Sequence, residues 1–407
     1  MSALSGRLAS VLDEVRKHLG GVTRAISSRL DGDPHEVLAY RGYGNAIRVH
    51  VFGRALEVRN VSASTDSDSI FRNLLNTYRR AEADPLAFAE VSVEYATTST
   101  IMKADDEGFF SGWIELEEFS PAGDEWNEYT VSVTGPADHR AGATTAKGEI
   151  LVPPPTSRFG VISDIDDTVI QSRVSNFLQA ARTVILGNAR TRLPFPGVAA
   201  FYRALRDGAG DEKNPIYYVS SSPWNIFDVI DEFMRIQDIP RGPVVLRDWD
   251  IGWDLLASSR HFDHKSSAIR NIMKLHPELD FILIGDSSQH DPEIYRQIVA
   301  EFPSQVKAIY IRDVTRSVDR SASVKKLADE VLAAGSVLVL AEDTLTAASH
   351  AAAQGFISSE TLGDIGKEKI ADEGRDDTKA PAPDGGEPSS GKPPVVVSGD
   401  SSQIGRP

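Results

Sequence analysis

Short apolar runs in the second half of the chain constrain its fold more than any other feature of the sequence. Stretches with helical spacing separate these runs, which end at Ser163, Ser220, Gly285 and Arg312. Apolar runs that alternate with helices are typical of a parallel sheet covered by crossover helices. A further strand over 337–340 and a helix over 344–354 continue the series. We therefore predict an α/β domain with a Rossmann-like parallel sheet over residues 159–365.

The first half of the chain has a different pattern, in which apolar and polar residues alternate. Alternation of this kind is typical of strands that are half exposed to solvent. Strands are predicted over 47–51, 89–95, 109–116 and 129–133. One helical stretch, over 69–80, interrupts them. We interpret residues 31–150 as a small antiparallel β-sandwich.

Three other segments complete the predicted organisation. Apolar residues recur at helical spacing over 4–19, which predicts an amphipathic helix within 1–30. Three consecutive prolines, 153–155, predict a linker over 151–158, because proline disrupts the interior of a helix or sheet. Residues 366–407 contain little that can be buried, so we predict a disordered tail.

Length and charge limit the classes of protein to consider. A chain of 407 residues exceeds what one hydrophobic core usually organises, which favours two domains. The net charge of −16 argues against a nucleic-acid partner, because binding to phosphate backbones needs many Lys and Arg contacts. Charged residues interrupt the apolar residues of 1–19, and no stretch approaches the ~20 apolar residues of a membrane span. We expect a cytoplasmic protein; its oligomeric state is not predicted.

Acidic residues directly follow the first apolar run. The strand over 159–163 delivers Asp164 and Asp166 to its carboxyl end, where ligands bind in open α/β sheets. Two carboxylates this close repel each other unless a cation shares the site or one of them is protonated. Mg²⁺ fits this requirement, since it binds carboxylate and phosphate oxygens. An acidic pair alone is more often a helix cap or a turn, so the assignment depends on the other motifs.

Polar residues also follow the later runs. Ser220 ends the second strand, where its hydroxyl can hydrogen-bond a phosphoryl oxygen. Lys265, at a predicted helix start, can neutralise charge on a transferring group. Gly285 lets the backbone approach closely before Asp286, and Asp291 follows. The order of these elements, three of them at strand ends, indicates a phosphoryl-transfer site.

This order resembles the four motifs of the haloacid dehalogenase superfamily: Asp-x-Asp-x-Thr/Val, a strand-terminal Ser/Thr, a Lys, and Gly-Asp followed by another Asp. More narrowly, four segments are similar to the catalytic domain of the actin-patch phosphatidate phosphatases of fungi, relatives of the lipins: 164–170, 220–224, 264–265 and 285–295. The resemblance covers about 159 to 357. Residues 40–54 are similar to the β-rich domain that precedes this catalytic domain in bacterial members.

The resemblance implies a role for each matching residue. Asp164 would attack phosphorus to form an aspartyl phosphate, and Asp166 would act as general acid and then as general base. Mg²⁺ would be held by Asp164, the backbone carbonyl of Asp166, and Asp286. Asp291 would support the metal or orient Lys265.

Five residues are predicted to bind or frame the substrate. Ser220 and Lys265 would hold the phosphoryl oxygens, and Thr168 would shape the nucleophile loop. Ser221 and Arg173 complete the predicted substrate-binding set. The serines 220–222 have a second interpretation, as caps of a helix that begins near residue 223.

The segment 171–192 favours a lipid substrate without reference to a family. It has no acidic residue, and apolar residues accompany Arg173, Arg182, Arg190 and Arg192. Basic amphipathic segments can lie on anionic membranes, so we predict peripheral membrane contact here. The alternative is a helix packed over the core with its arginines in solvent.

The preferred function is Mg²⁺-dependent hydrolysis of phosphatidate to diacylglycerol. The short span between Ser220 and Lys265 leaves little room for a large cap domain, which suits a substrate presented at a surface. One alternative is a phosphatase of another phosphomonoester, either a soluble metabolite or a phosphoprotein. A second is a non-catalytic module that binds phosphatidate, which the presence of Asp164, Asp166 and Lys265 argues against.

Overall fold

A computed structural model describes seven stretches of the chain: 35–57, 84–117, 125–135, 144–170, 195–247, 257–315 and 317–376. The chain divides into two compact units, Met1–Val152 and Pro153–Pro407, and the division falls inside the predicted linker. Three predicted features lie outside the described residues: the helix within 1–30, the helical stretch over 69–80, and the basic segment 171–192.

The first unit contains seven described strands. They are β1 (His35–Gly44), β2 (Arg48–Glu57), β3 (Glu90–Tyr95), β4 (Thr98–Lys103), β5 (Phe109–Glu115), β6 (Trp126–Gly135) and β7 (Thr145–Leu151). They form one sheet in the order β4-β3-β6-β7-β1-β2-β5. Neighbouring strands are antiparallel except β1 and β7, which run parallel.

This sheet curls until its two edge strands, β4 and β5, contact each other. A Cβ atom on Gly112 of β5 would lie 3.1 Å from the Cε of Met102 on β4. The predicted sandwich of two antiparallel sheets is therefore not confirmed, since the described strands form a single curved sheet with one parallel pair. The alternation of residues identifies which side of a strand is buried, but it does not tell whether the strands continue around one sheet or divide into two.

Tyr129 on β6 joins the middle of the curved sheet from inside the core. Its hydroxyl donates to the carbonyl oxygens of Tyr40 at 2.6 Å and Phe52 at 3.0 Å, and its side chain is buried. The pairing of β1 with β2 is irregular between Tyr40 and Tyr43, so the tyrosine supplies a donor where the ladder is interrupted. Gly148 on β7 makes room, because a Cβ there would lie 2.3 Å from the Tyr129 ring.

The second unit is an α/β domain with a parallel sheet, as predicted. Its strands are β8 (Phe159–Ser163), β9 (Ile216–Pro223), β10 (Val244–Arg247), β11 (Asp280–Asp286), β12 (Val306–Arg312) and β13 (Val337–Ala341). Its helices are α1 (Val198–Asp207), α2 (Phe227–Ile236), α3 (Ala257–Leu275), α4 (Asp291–Glu301), α5 (Val318–Ala333), α6 (Thr344–Ala353) and α7 (Thr361–Asp376), with a 3₁₀ turn at Trp224–Ile226. Within these described parts, no helix combines the length and apolar content that crossing a bilayer requires.

The strand order places a crevice at the centre of this sheet. The order is β10-β9-β8-β11-β12-β13, and every neighbouring pair is parallel. The chain moves from β8 outward to β9 and β10, and then returns to the other side of β8 with β11. Ligands of open α/β sheets bind at such a reversal, beyond the carboxyl ends of the strands. The ends of β8, β9 and β11 therefore define the candidate site.

The predicted disordered tail begins too early, because residues 366–376 continue α7. Asp372 is 5 % exposed and accepts a hydrogen bond from the backbone N–H of Gly197 at 3.0 Å. Glu368 accepts another from the N–H of Ala200 at 2.9 Å. Composition alone treats these acidic residues as solvated, whereas here they satisfy the free N–H groups at the start of α1.

Candidate active site

The loop after β8 holds its first aspartate by the backbone. The N–H of Asp164 donates to the carbonyl of Ile284 on β11 at 2.9 Å, and the Ser163 hydroxyl donates to the carbonyl of Asp164 at 2.6 Å. Beyond it, the carbonyl of Ile165 accepts from the N–H groups of residues 168–170, and Asp167 has a left-handed φ of 58°. The chain thus turns back on itself within a few residues, which keeps Asp164 at the strand tip.

Asp164 is buried and has a hydrogen-bond donor on each carboxylate oxygen. Lys265 Nζ donates to Oδ1 at 2.8 Å, and the Thr168 hydroxyl donates to Oδ2 at 3.2 Å. Lys265 Nζ also contacts Asp291 Oδ1 at 2.5 Å, and both of these residues are buried. One ammonium group therefore bridges two aspartates that are far apart in the sequence.

Lys265 lies in the middle of α3, so its predicted place at a helix start is wrong. The helix begins at Ala257, and no glycine or proline between there and Lys265 would stop it. The charge that reaches Asp164 is thus that of the side chain alone, without the positive end of the helix dipole.

The two carboxylate oxygens of Asp286, at the end of β11, differ in their hydrogen bonds. Its Oδ1 accepts from the N–H and hydroxyl of Ser288, at 2.6 and 2.5 Å, and from the N–H of Gln289 at 3.1 Å. Its Oδ2 is buried and has no hydrogen-bond partner among the described residues. A buried carboxylate oxygen without a donor is costly unless a cation binds it.

Asp286 belongs to a cluster of carboxylates that fits a hard divalent cation. Asp164, Asp286 and Asp291 each offer one carboxylate oxygen, and the three oxygens lie within 4.8 Å of one another. Gly285 lets Asp291 approach β11, because a Cβ there would lie 2.4 Å from Asp291 Oδ2. Only oxygen donors are offered, which suits Mg²⁺.

Asp166 faces a different set of groups. The hydroxyls of Ser220 and Ser222 both donate to its Oδ2, at 2.8 and 3.1 Å. Its backbone carbonyl accepts from the side-chain amide of Gln289 at 3.4 Å. The carboxylate of Asp166 is therefore held beside the three-aspartate cluster, and its carbonyl is oriented by the loop that carries Asp286.

Burial and like charges shift the acid groups of the site. Burial raises the pKa of Asp164 well above its usual value; Lys265 opposes this rise, and Asp291 adds to it. Burial, followed by Asp291, raises the pKa of Asp286 to about 6. Burial alone would lower the pKa of Lys265, but Asp164 and Asp291 raise it, so the ammonium stays charged. A cation would keep the carboxylates ionised against these effects.

The pKa of Asp166 is also raised by burial, while hydrogen bonds from Ser220 and Ser222 limit the rise. A carboxyl group with a raised pKa is better able to carry and release a proton near neutral pH.

Most of the predicted site residues meet at this edge of the sheet. The structure brings together Asp164, Asp166, Thr168, Ser220, Lys265, Asp286 and Asp291. Successive side chains of a strand point to opposite faces, and Ser220 and Ser222 both face Asp166. Ser221, between them on β9, therefore points away from Asp166. Arg173 lies outside the described residues.

Two contacts of the site were missed in the sequence. Ser222 joins Ser220 on Asp166, and the period of two along β9 is the signal that could have identified it. Gln289 reaches Asp166 from the Asp286 loop, and nothing in its spacing indicates this. The serines do not cap the turn that follows, since that turn has no side-chain cap.

Comparisons with known proteins match the region that carries this site. Residues 159–313 match a family model described as the catalytic domain of phosphatidate phosphatase APP1. The phosphatidate phosphatase APP1 of Saccharomyces cerevisiae is 32% identical over 160 residues, which is 39% of this chain and 26% of that protein. An uncharacterized protein of Schizosaccharomyces pombe is 28% identical over 156 residues, 38% of this chain and 25% of its own length. The chain thus spans about a quarter of the length of these relatives.

Among solved structures, a putative α-galactosidase from Bacteroides fragilis aligns with 76% of this chain and 53% of its own, at 11% identity and a TM-score of 0.21. A carbohydrate acetylesterase from Xanthomonas citri aligns with 66% of each chain, at 12% identity and a TM-score of 0.23. Likenesses this weak carry no argument about fold, so the haloacid dehalogenase assignment stays a prediction.

Proposed function

We propose that this chain is a Mg²⁺-dependent phosphatidate phosphatase, since residues 159–313 match the family model of the APP1 catalytic domain. It hydrolyses phosphatidate to diacylglycerol and phosphate through an aspartyl phosphate on Asp164. The observation that carries the proposal is the buried cluster at the ends of β8 and β11, where Lys265 joins Asp164 to Asp291 beside the unpartnered oxygen of Asp286.

The haloacid dehalogenase fold is part of this proposal. Its support is the position of each motif on a parallel sheet: Asp164 after β8, Ser220 on β9, Lys265 on the intervening helix α3, and Asp286 at the end of β11. The same chain order would be required of any member of that superfamily that uses an aspartate nucleophile. In this proposal, the curved sheet of the first unit corresponds to the β-rich domain that is expected before such a catalytic domain.

In the first step, a carboxylate oxygen of Asp164 attacks phosphorus, and the bond from phosphorus to the glycerol oxygen breaks. Asp166 gives its proton to that departing oxygen, so diacylglycerol leaves neutral. Ser220 and Ser222 hold the Asp166 carboxyl during this transfer. Lys265 offsets negative charge on the phosphoryl group from its position against Asp164.

In the second step, Asp166 takes a proton from water, whose oxygen attacks phosphorus. The bond between Asp164 and phosphorus breaks, which releases inorganic phosphate and returns Asp164 to a carboxylate. Asp166 is then protonated again and ready for the next substrate. Thr168 keeps its hydrogen bond to Asp164, which orients the nucleophile throughout.

The residues that would hold Mg²⁺ are Asp164, Asp286 and the backbone carbonyl of Asp166, with Asp291 as a supporting carboxylate. When bound, Mg²⁺ supplies charge neutralisation between the carboxylates and the phosphoryl oxygens. Three carboxylates, those of Asp164, Asp286 and Asp291, share this cluster with one ammonium, so the protein's own ionised groups leave an excess of negative charge.

The test is a phosphate-release assay on the purified chain with and without Mg²⁺. We expect Mg²⁺-dependent turnover of phosphatidate in detergent micelles, and little turnover of soluble phosphomonoesters. Chelation by EDTA should abolish release, and added Mg²⁺ should restore it. Equal or faster turnover of a soluble metabolite or a phosphopeptide would contradict phosphatidate as the preferred substrate. It would not contradict the proposed reaction mechanism.

The aspartyl phosphate has its own test. Rapid acid quenching with ³²P-labelled phosphatidate should trap label on the protein, and hydroxylamine should release it, since acyl phosphates are cleaved by that nucleophile. Asp164→Asn should trap none. Label trapped at another residue would contradict the assignment of the nucleophile.

Peripheral membrane contact through residues 171–192 is tested separately. Replacing Arg182, Arg190 and Arg192 with Ser, and keeping Arg173 because it belongs to the predicted substrate-binding set, should weaken binding to vesicles that contain phosphatidate, because about 1 kcal/mol is lost for each basic residue near the surface. Hydrolysis of a small soluble ester should be spared. Unchanged vesicle binding would remove this part of the proposal.

A further inference from the structure

Arg320, on α5, lies outside the region that matches the APP1 catalytic domain, yet it contacts the loop that carries Asp286. Its Nε donates to the carbonyl oxygen of Ser287 at 2.7 Å, and its Nη2 donates to the carbonyl oxygen of Gln289 at 2.6 Å. These two carbonyls flank the residue whose N–H and hydroxyl bind Asp286 Oδ1. One guanidinium group therefore holds the outer side of the loop that wraps the aspartate.

The same guanidinium reaches the first turn of α4. Glu293 accepts from Nη1 through Oε1 and from Nη2 through Oε2, the second at 3.0 Å, so the pair is bidentate. Glu293 lies in the same turn as Asp291, which receives Lys265 and the N–H of Asp286. Arg320 thus connects the two chain segments that supply Asp286 and Asp291.

The geometry of this contact is specific to arginine. A planar fork can bridge two carbonyl oxygens and a carboxylate at once, whereas a lysine ammonium acts as a point charge. With Oδ1 of Asp286 fixed by Ser288 and Gln289, the direction of Oδ2 is set by how the loop is held. The loop also carries the Gln289 amide that contacts the carbonyl of Asp166.

We propose that Arg320, paired with Glu293, is a positioning residue for the cation site: it fixes the 286–289 loop so that Asp286 Oδ2 and the Asp166 carbonyl face Asp164. This inference rests on the proposed function for the identity of the cation. Arg320 does not touch the substrate or the cation; it acts through Asp286 and Gln289. Residues that orient metal ligands in this way typically change metal affinity about 10-fold to 100-fold when replaced.

The sign of the effect separates positioning from charge. Arg320 is cationic: hydrogen bonding to Glu293 raises its pKa against the effect of burial, and the charge of Glu293, followed by those of Asp286 and Asp291, raises it further. Removing the positive charge of Arg320 should by itself strengthen Mg²⁺ binding, because it removes the repulsion between two cations. Positioning predicts the opposite, because a loop that is free to shift no longer presents its oxygens together.

The experiment is titration calorimetry of Mg²⁺ into the full-length protein without substrate. Arg320→Gln should weaken Mg²⁺ binding by about 10-fold or more. Glu293→Gln should weaken it in the same direction by a smaller factor, since Arg320 keeps its two carbonyl contacts. Arg320→Lys keeps the positive charge but loses the planar guanidinium group. It should recover less than half of the Mg²⁺-binding free energy that Arg320→Gln loses.

A neighbouring ion pair supplies the matched control. Arg296 and Glu330 join the same two helices, α4 and α5, at 3.4 Å, and no hydrogen bond or ion pair described in the structure links either of them to the 286–289 loop. Arg296→Gln should therefore leave the Mg²⁺ dissociation constant within about twofold of the wild type. Thermal melts should show all variants folded before titration.

A kinetic reading completes the test. In phosphate release, Arg320→Gln should raise the Mg²⁺ concentration needed for half-maximal rate by the same factor as the dissociation constant, with kcat at saturating Mg²⁺ within about threefold of the wild type. Unchanged or tighter Mg²⁺ binding in Arg320→Gln, or equal weakening in Arg296→Gln, would overturn the inference. A wild-type protein that binds no Mg²⁺ would overturn the proposed cofactor as well.

Discussion

Two buried polar clusters, one in each unit of the chain, differ in charge. In the curved sheet of the first unit, Tyr129 donates to two backbone carbonyls, so its hydroxyl completes a neutral network. In the parallel sheet of the second unit, Asp164, Asp286 and Asp291 are buried together with one lysine. The hydroxyl of Tyr129 is satisfied by backbone acceptors, whereas the three buried aspartates have a single ammonium group, that of Lys265, to balance their charge.

Strand direction explains the difference. In the mostly antiparallel sheet, successive strands end at opposite edges, so polar residues at strand ends are dispersed. In the parallel sheet, β8, β9 and β11 all end at the same edge, and residues separated by more than a hundred positions meet there. A parallel sheet thus collects charged side chains, which costs stability and provides chemistry.

The largest expected effect separates chemistry from folding. Asp164→Asn should lower phosphatase turnover by at least about 10⁴-fold, because an amide cannot replace the attacking carboxylate. The protein should stay folded, since Lys265 retains Asp291. Turnover of phosphatidate and the melting temperature are the two measurements. Asp167→Asn is the control in the same loop, since asparagine tolerates its positive φ; a comparable loss there would point to the loop backbone.

Two glycines give the next comparison. A Cβ on Gly285 would lie 2.4 Å from Asp291 Oδ2, and a Cβ on Gly53 would lie 2.2 Å from the Phe110 ring. Gly285→Ala should lower kcat/KM by about 100-fold, because it displaces a group of the site. Gly53→Ala should instead cost about 1–3 kcal/mol of unfolding free energy through overpacking, with kcat/KM unchanged. Equal effects on activity would show that the two units are not separable in function.

A smaller effect is expected at the buried tyrosines. Tyr129→Phe removes the hydroxyl that donates to two buried carbonyls and should cost about 1–3 kcal/mol in urea unfolding, with no change in turnover. Tyr202→Phe is its counterpart in the second unit, since Tyr202 bonds Ser163 at 2.6 Å and Ser163 bonds the Asp164 carbonyl. Tyr202→Phe should lower both stability and turnover. A loss of turnover in Tyr129→Phe would contradict the division of roles.

The smallest predicted effect is a pH dependence of stability, and it should be similar in the two units. Burial lowers the pKa of His50 in the first unit and of His276 in the second to about 4. Each histidine binds its proton near pH 6.5 when unfolded, so stability is full above that pH and declines as the pH falls toward 4. Each should therefore contribute a loss of about 1–2 kcal/mol between pH 7 and pH 5.

His276→Gln and His50→Gln should each remove that loss relative to the wild type, measured by urea unfolding at the two pH values. The comparison with the wild type at the same pH cancels the titration of the carboxylates in the active site. Parallel pH curves for variant and wild type would contradict a neutral buried histidine.

Much of the second unit was predictable from its sequence, because a buried parallel strand is a continuous apolar run and its last residue marks a site. Asp164, Ser220 and Asp286 were assigned from their positions after such runs, and the structure gathers them. Lys265 follows no strand; its order in the chain indicated its role, while its position within α3 was misjudged.

Other features depend on contacts between distant segments, which local patterns do not encode. The four-residue β10 is too short to give a periodic signal, and the closure of the first sheet depends on which strands pair. Arg320 contacts the backbone carbonyl of Ser287, which is 33 positions away in the sequence. No pattern of side chains reveals a contact with a backbone carbonyl. The main strands and helices of the second unit and the positions of polar residues at its strand ends were therefore predictable. Strand pairing in the first unit and the contacts that support the Asp286 loop were not.

The caps that α7 supplies to α1 have a practical consequence for producing the protein. A protein shortened to the predicted tail boundary at 365 would lose Glu368 and Asp372, and with them the acceptors for the first N–H groups of α1. That helix carries Tyr202, whose hydroxyl contacts Ser163 at the end of β8. Expression limits chosen by composition would thus weaken the second unit from a distance, and the shortest useful version should extend through Asp376.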